Sequence, residues 1–215
     1  MLTTFKNAWK LPEIRRKMLF TLFMLLIYRL GSHIAVPFMN KEAISQLFSG
    51  QNAGVLTFLD LMAGGNFSNY TIFAANITPY ITASIVLQLL TIAIPSLEQL
   101  AKEGDTGRKA IAKYTRYLAI AIAFIQAIGF TFGIFRQAVE ANTFLQKSVV
   151  IMSIVAGTAF LVWIGEQITE KGIGNGISII IFAGIIVRMP RDLYQSILLV
   201  RAGRAHWAFL ILYVV

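Results

Sequence analysis

Asp60 has the strongest claim to chemistry in this sequence, because it is a carboxylate set inside the apolar run Val55–Met62, which stops at Gly64-Gly65. A carboxylate in an apolar membrane segment is a candidate ligand for a cation or a proton. On position alone the plainer reading is favoured, a side chain kept hydrated at an outer membrane surface. The histidines offer less. His33 and His206 are far apart and each sits at the boundary of an apolar stretch. No Ser-His-Asp set, HExxH pattern or pair of intramembrane carboxylates is present, so no catalytic residues are expected. Glu166 to Gly176 carries glycines at 172, 174 and 176, but no GxGxxG or GK[ST] pattern follows and no strand precedes it. It is read as a tight interhelical turn rather than a phosphate cradle. Gly104-Asp105-Thr106-Gly107-Arg108-Lys109 lacks Walker spacing and reads either as a basic turn open to a cytosolic partner or as a solvated loop. Cysteine is absent, which excludes disulfides and thiolate metal sites, and neither a cofactor nor a metal is expected.

The elements that carry these residues belong to a membrane. Hydrophobic residues make up 57% of the chain and charged residues 13%, with the apolar residues gathered into long blocks. The net charge of +9 lies largely beside those blocks, so it is assigned to topology and anionic lipid rather than to nucleic acid, for which no direct contact is expected. Residues 1–17 hold Lys6, Lys10, Arg15, Arg16 and Lys17 against Glu13, a basic tail expected to stay cytoplasmic. Met18–Val36 is long enough to span, at about 28 Å, and lacks the features of a cleaved signal. Residues 38–54 read as a polar loop. Val55–Met62 is too short to cross and reads as a re-entrant or interfacial hook.

Ile77–Ile94 forms a second span, threaded with Thr78, Thr82, Ser84, Gln88 and Thr91, so part of it should face protein or a water-filled cavity. Pro79 suits its first turn, with Asn76 or Thr78 as caps, and Pro95 ends it. Tyr117–Phe135 is a third span with a Gly129/Gly133 GxxxG pair, Ser148–Gly165 a fourth, and Ile173–Met189 a fifth that stops before Pro190. The loop expected after it would be external by parity, yet it carries Arg188, Arg191, Arg201 and Arg204 against Asp192. Either charge is overruled late in the chain or the fifth segment does not cross. Trp207–Val215 is half a span, and the chain is expected to be a fragment or one half of a larger protein.

Ile81 and Ile85 lie four apart on the second span, and Ile177 and Ile181 repeat the spacing on the fifth. Such pairs could line a constriction that excludes water and ions. By spacing alone, ordinary helix packing or lipid contact is favoured.

Longer motifs change that balance. Phe58-Leu59-Asp60-Leu61-Met62-Ala63-Gly64-Gly65, Thr78-Pro79-Tyr80-Ile81-Thr82-Ala83-Ser84-Ile85, Lys102-Glu103-Gly104 through Arg108-Lys109, Tyr114-Thr115-Arg116-Tyr117 and Trp163 through Ser178 together resemble the bacterial SecY protein-conducting channel family, in order along almost the whole chain. The resemblance implies an all-α polytopic membrane bundle: the N-terminal half of a ten-helix fold of two inverted halves, with five transmembrane helices, a short plug helix and a truncated sixth. In this division 1–17 is the cytoplasmic tail, 18–189 holds helices 1–5 with the plug near 58–68, and 190–215 holds an external loop and the start of helix six. Ile81, Ile85, Ile177 and Ile181 map to the pore ring. Phe58, Leu59, Asp60, Leu61, Met62, Ala63, Gly64 and Gly65 map to the plug, and Gln88 and Gln126 to the lateral gate.

The expected function is passage of unfolded secretory polypeptides and sideways release of membrane segments. The expected partners are SecE, SecG, the SecA motor or the ribosome, and the missing C-terminal half, in the cell membrane. Half of an inverted-repeat secondary transporter is the main alternative. A membrane scaffold that transports nothing is a third.

Overall fold

The computed structural model describes residues 11–49, 53–141 and 143–201. The described residues form helices α1 (Pro12–Gly31), α2 (Lys41–Ser49), α3 (Ala53–Met62), α4 (Thr78–Ala93), α5 (Pro95–Lys102), α6 (Asp105–Gly129), α7 (Phe144–Lys171) and α8 (Gly176–Arg201), with a π-helical extension of α6 over Phe130–Ile134. Trp207–Val215, the expected start of a sixth helix, and residues 1–10 of the basic tail lie outside the described residues.

α7 is the central post. Thr143 and Gln146 close a capping box at its start, where the Thr143 N–H donates to Gln146 Oε1 at 3.1 Å. Its buried side includes Val150, Ile154, Leu161, Ile164 and Ile168, and α1, α6 and α8 pack around it. α6 approaches α4 and α7 through Thr115, Ala119, Ala123 and Ala127, all buried at a spacing of four. Within a bilayer apolar burial alone does not drive helices together, so small side chains that allow close backbone approach do that job. The GxxxG pair does not: a Cβ added at Gly129 or Gly133 would meet nothing within 4 Å.

α1 begins with Pro12 in its first turn, where the missing N–H is no loss, and carries Glu13 in its first turn and Arg29 in its last, complementing the helix dipole. It buries Thr21, Met24, Tyr28 and Gly31 and exposes Leu19, Leu22, Phe23, Leu26 and Leu30. The helix ends at Gly31, short of the expected Val36, because the next residues pair elsewhere. The Val36 N–H donates to the Tyr70 carbonyl and the Ile72 N–H to the Ile34 carbonyl, each at 3.0 Å. The expected loop over residues 38–54 contains α2, started by the Asn40 carboxamide, whose oxygen accepts the Glu42 and Ala43 N–H groups at 2.8 and 3.1 Å.

Between α3 and α4 the chain is irregular and buried. Phe67, Tyr70 and Phe73 anchor it; Phe135 packs edge-to-face on Phe67 and Tyr70 with centroids 5.0 and 4.6 Å apart. Irregular backbone is tolerated at such depth only when protein surrounds it. α4 starts with Ile77 at its N-cap position and no side-chain cap, so neither Asn76 nor Thr78 caps it; Pro79 lies in the first turn as expected. At Ile94–Pro95 the chain turns by 103° into α5.

α8 does not stop at Pro190. It continues to Arg201, so Arg188, Arg191 and Arg201 lie on a helix rather than in the expected loop, and Arg204 lies outside the described residues. A proline removes one helical hydrogen bond, and the helical turns on either side can carry the chain past it.

By length and composition, Asp105–Ile134 and Phe144–Lys171 are sufficient to cross a membrane, and Thr78–Ala93 with Pro95–Lys102 makes a third, bent candidate. The apolar stretch of α8, Gly176–Val187, is shorter than a full span, as is the helical part of 18–31 in α1, at about 21 Å.

Candidate functional site

α4, α6, α7 and α8 surround a cavity of about 540 Å³. From α4 come Tyr80, Ile81, Ser84, Ile85 and Gln88, a stripe that follows one helix face. The start of α8 adds Ile177 and Ser178, held in place by Asn175, whose side-chain oxygen accepts both of their N–H groups at 3.0 and 3.2 Å. The turn before α8 is fastened twice more. The Gly176 N–H donates to Thr169 Oγ1 at 2.9 Å, and the Ile173 N–H donates to Thr21 Oγ1 on α1 at 3.1 Å. The glycine-rich stretch is therefore an interhelical turn, shorter than expected because α7 runs on to Lys171.

The opposite wall is charged. Arg116 on α6 meets Glu166 on α7 through two parallel contacts, Nη2 to Oε2 at 2.7 Å and Nε to Oε1 at 3.0 Å. Lys109 and Glu170 complete a wall whose charges balance. Two-point geometry favours this pair, while exposure of nearly half of the Arg116 side chain weakens it. A double-mutant cycle with Arg116→Ala and Glu166→Ala on the complete protein is expected to give a coupling energy of about 1 kcal/mol in thermal or denaturant unfolding. A coupling near zero would mean the pair does not hold α6 to α7.

Three of the four expected ring residues meet at this cavity. Ile81 and Ile85, 36% and 53% exposed, line it together with Ile177, which also packs against the buried cluster around Ile180. Ile181 does not line it. One turn further along α8, it packs half-buried against the cluster built by Met24, Tyr28, Phe73 and Ile180. Gln88 lines the cavity, whereas Gln126 is half-buried on α6 away from it.

The expected plug residues form the end of α3 and the turn after it. Phe58 and Leu59 are exposed; Ala63, Gly64 and Gly65 are buried; Leu61 and Met62 belong to the helix. Asp60 is 2% exposed, which overturns the hydrated reading. Its Oδ1 accepts the Ser68 N–H at 2.7 Å, and its carbonyl accepts the Gly65 N–H at 3.0 Å, so the carboxylate organises the turn. Asp60→Ala is expected to destabilise this segment by about 1.5–3 kcal/mol, the range for a hydrogen bond to a charged group, with Asp60→Asn keeping part of it. Hydrogen exchange at residues 63–70 checks this, and unchanged exchange in the alanine variant would remove the assignment.

Sequence reading missed three further features. Gly64, at φ +64°, sits against Gly184 of α8 so closely that an added Cβ would lie 2.8 Å from the Gly184 Cα. Asn66 donates to the Tyr28 hydroxyl at 3.3 Å, tying the same turn to α1. The Arg116–Glu166 pair spans 50 residues of sequence. Opposite charges at the ends of neighbouring expected spans were the available signal for the last; the first two leave none.

A protein-family model described as SecY matches residues 71–215. Protein translocase subunit SecY of Thermotoga maritima is 44% identical over 98% of this chain and 51% of its own length. The proteins of the same name from Aquifex aeolicus and Escherichia coli K12 are 46% and 41% identical, over 92% and 94% of this chain and 48% and 47% of theirs. The chain thus spans about half the length of these relatives. A solved structure described as "The structure of a protein conducting channel" shares the fold, with a TM-score of 0.63 and 21% identity over 93% of this chain and 46% of that one. Another, described as "The plug domain of the SecY protein stablizes the closed state of the translocation channel and maintains a membrane seal", gives 0.56 and 22% over 90% and 40%.

Proposed function

Because this chain belongs to the SecY family, we propose that it supplies the N-terminal half of a channel that conducts unfolded polypeptides and releases apolar segments sideways into lipid. One observation carries the reading: Ile81 and Ile85 of α4 and Ile177 of α8 face one cavity. Branched apolar side chains around an opening resist wetting, close on a passing chain and limit ion flow. Ile181 joins this ring only if α8 moves, since it is packed away from the cavity in this state. α3 and its turn act as the plug, and Gln88 is the better-placed of the two gate candidates.

No covalent step is required of this chain; an external motor or the ribosome supplies the work. SecE and SecG, a second set of helices completing the ring and gate, and anionic lipid are the proposed partners. The proposed location is the cell membrane, with residues 1–17 on the cytoplasmic side.

The test is site-specific crosslinking of a stalled nascent polypeptide in the complete channel. Crosslinks are expected from positions 81, 85 and 177, with weaker ones from 181. No crosslink from the first three, with strong ones elsewhere, would end the pore assignment. Uptake of a small solute or protons coupled to a gradient would favour the transporter alternative instead.

A further inference from the structure

A second cavity, of about 290 Å³, opens between the end of α1, the start of α2 and the turn after α3. Arg29, His33 and Lys41 line it, together with Asn66, Asn69 and the Gly64-Gly65 backbone. None of the lining residues is a carboxylate, and neither ion pair among the described residues uses these bases. The nearby Glu140 accepts a hydrogen bond from the Asn40 side chain at 2.8 Å. The concentration of charge is unexpected here. α1 carries Arg15, Arg16 and Lys17 at its other end, and chain ends across a membrane from such a cluster are normally poor in Lys and Arg. Gathering Arg29 and Lys41 without an acid costs repulsion, which an anion would relieve.

The polar groups are arranged to donate. The His33 Nδ1 lies 2.8 Å from the Arg29 carbonyl, which can only accept, so the Nδ1 proton is spent there and His33 is not counted among the donors to an anion. Asn69 gives one amide N–H to the Gly65 carbonyl at 2.8 Å, and Asn66 gives one to Tyr28. Each amide keeps a second N–H. The volume is about that of ten waters, enough for a tetrahedral oxyanion with part of its hydration.

We propose that this cavity binds a phosphate group, either free or as the headgroup of an anionic phospholipid, between Arg29 and Lys41 and the amides of Asn66 and Asn69. Bound there, the phosphate bridges α1, α2 and the turn after α3, three elements that otherwise meet through few polar contacts. The site stands independently of the channel reading, because binding is measured directly and not through transport.

The complete protein is titrated with inorganic phosphate in neutral-lipid nanodiscs, and in a separate arm its phosphatidylglycerol occupancy against phosphatidylcholine is measured by native mass spectrometry. Removing both cations with Arg29→Gln and Lys41→Gln is expected to weaken binding about a hundredfold, tenfold per charge-assisted contact. Arg29→Lys with Lys41→Arg is expected to retain most of it. Circular dichroism confirms that each variant keeps its helix content. Binding in the phosphate arm identifies a free ion as ligand, and binding only in the phosphatidylglycerol arm identifies a lipid. Equal binding by the glutamine variant, or none in either arm by the unaltered protein, overturns the proposal.

Discussion

Replacing Gly64 with valine is expected to raise the resting ion conductance of the complete channel by about two orders of magnitude. Two costs combine. A branched side chain at φ +64° is strained by about 1–2 kcal/mol. Its Cβ would also lie 2.8 and 2.9 Å from the Gly184 Cα and carbonyl oxygen, backbone atoms that cannot turn aside as a side chain can, adding about 1–3 kcal/mol. A total near 3 kcal/mol against the seated arrangement corresponds to roughly a hundredfold shift in population. At Gly184 an added Cβ would lie 3.2 Å from the Tyr28 hydroxyl and 3.7 Å from the Gly64 Cα, the latter an ordinary contact, so Gly184→Val should act in the same direction but more weakly. Gly129→Ala is the control, because its added Cβ meets nothing within 4 Å. Single-channel recording in planar bilayers reads all three. Background conductance in both valine variants would show that the Gly64–Gly184 contact does not hold the proposed plug, α3 and its turn, in place.

Changing Ile81 and Ile85 together to serine, in a channel that also lacks the plug, should raise ion leak by at least about tenfold over plug deletion alone. Fully burying or exposing an isoleucine side chain is worth about 1.5–3 kcal/mol, and a barrier lowered by 1.4 kcal/mol is crossed about ten times faster. Both side chains face the cavity, so the hydroxyls would meet water there rather than a packed neighbour. Ile181→Ser should behave differently. Its side chain is half-buried against the cluster that includes Ile180 and does not line the cavity, so its main effect would be looser packing of α8 rather than leak. If the double serine variant leaks no more than the plug deletion, the apolar ring does not supply the seal.

Much of this molecule was legible before folding. The apolar blocks announced membrane helices, Pro79 marked the start of α4, Pro95 marked its sharp bend, and the Glu166–Gly176 stretch yielded an interhelical turn. The i, i+4 isoleucines were visible as pairs, but spacing could not say which way they face. That came first from the family resemblance and then from the cavity, which Ile81, Ile85 and Ile177 line and Ile181 does not, although Ile177 and Ile181 both pack against the same buried cluster.

Helix limits were less legible. Pro190 looked like a stop, yet α8 passes through it, because one lost hydrogen bond does not outweigh the helical turns on either side. Val36 looked like part of the first span, yet residues 34–36 leave the helix to pair with 70–72.

Local chemistry determined what kind of protein this is: hydropathy in long blocks commits a chain to the bilayer regardless of how its helices meet, and a proline's missing N–H acts wherever it stands. Tertiary structure alone decided where the decisive contacts fall. Asp60 became a buried organiser of its turn, Gly64 met Gly184 across 120 residues of sequence, and Arg29, His33 and Lys41 converged on one cavity. Such contacts depend on which faces of distant helices approach within a few ångströms, and a residue's type and its neighbours along the chain carry no record of that distance.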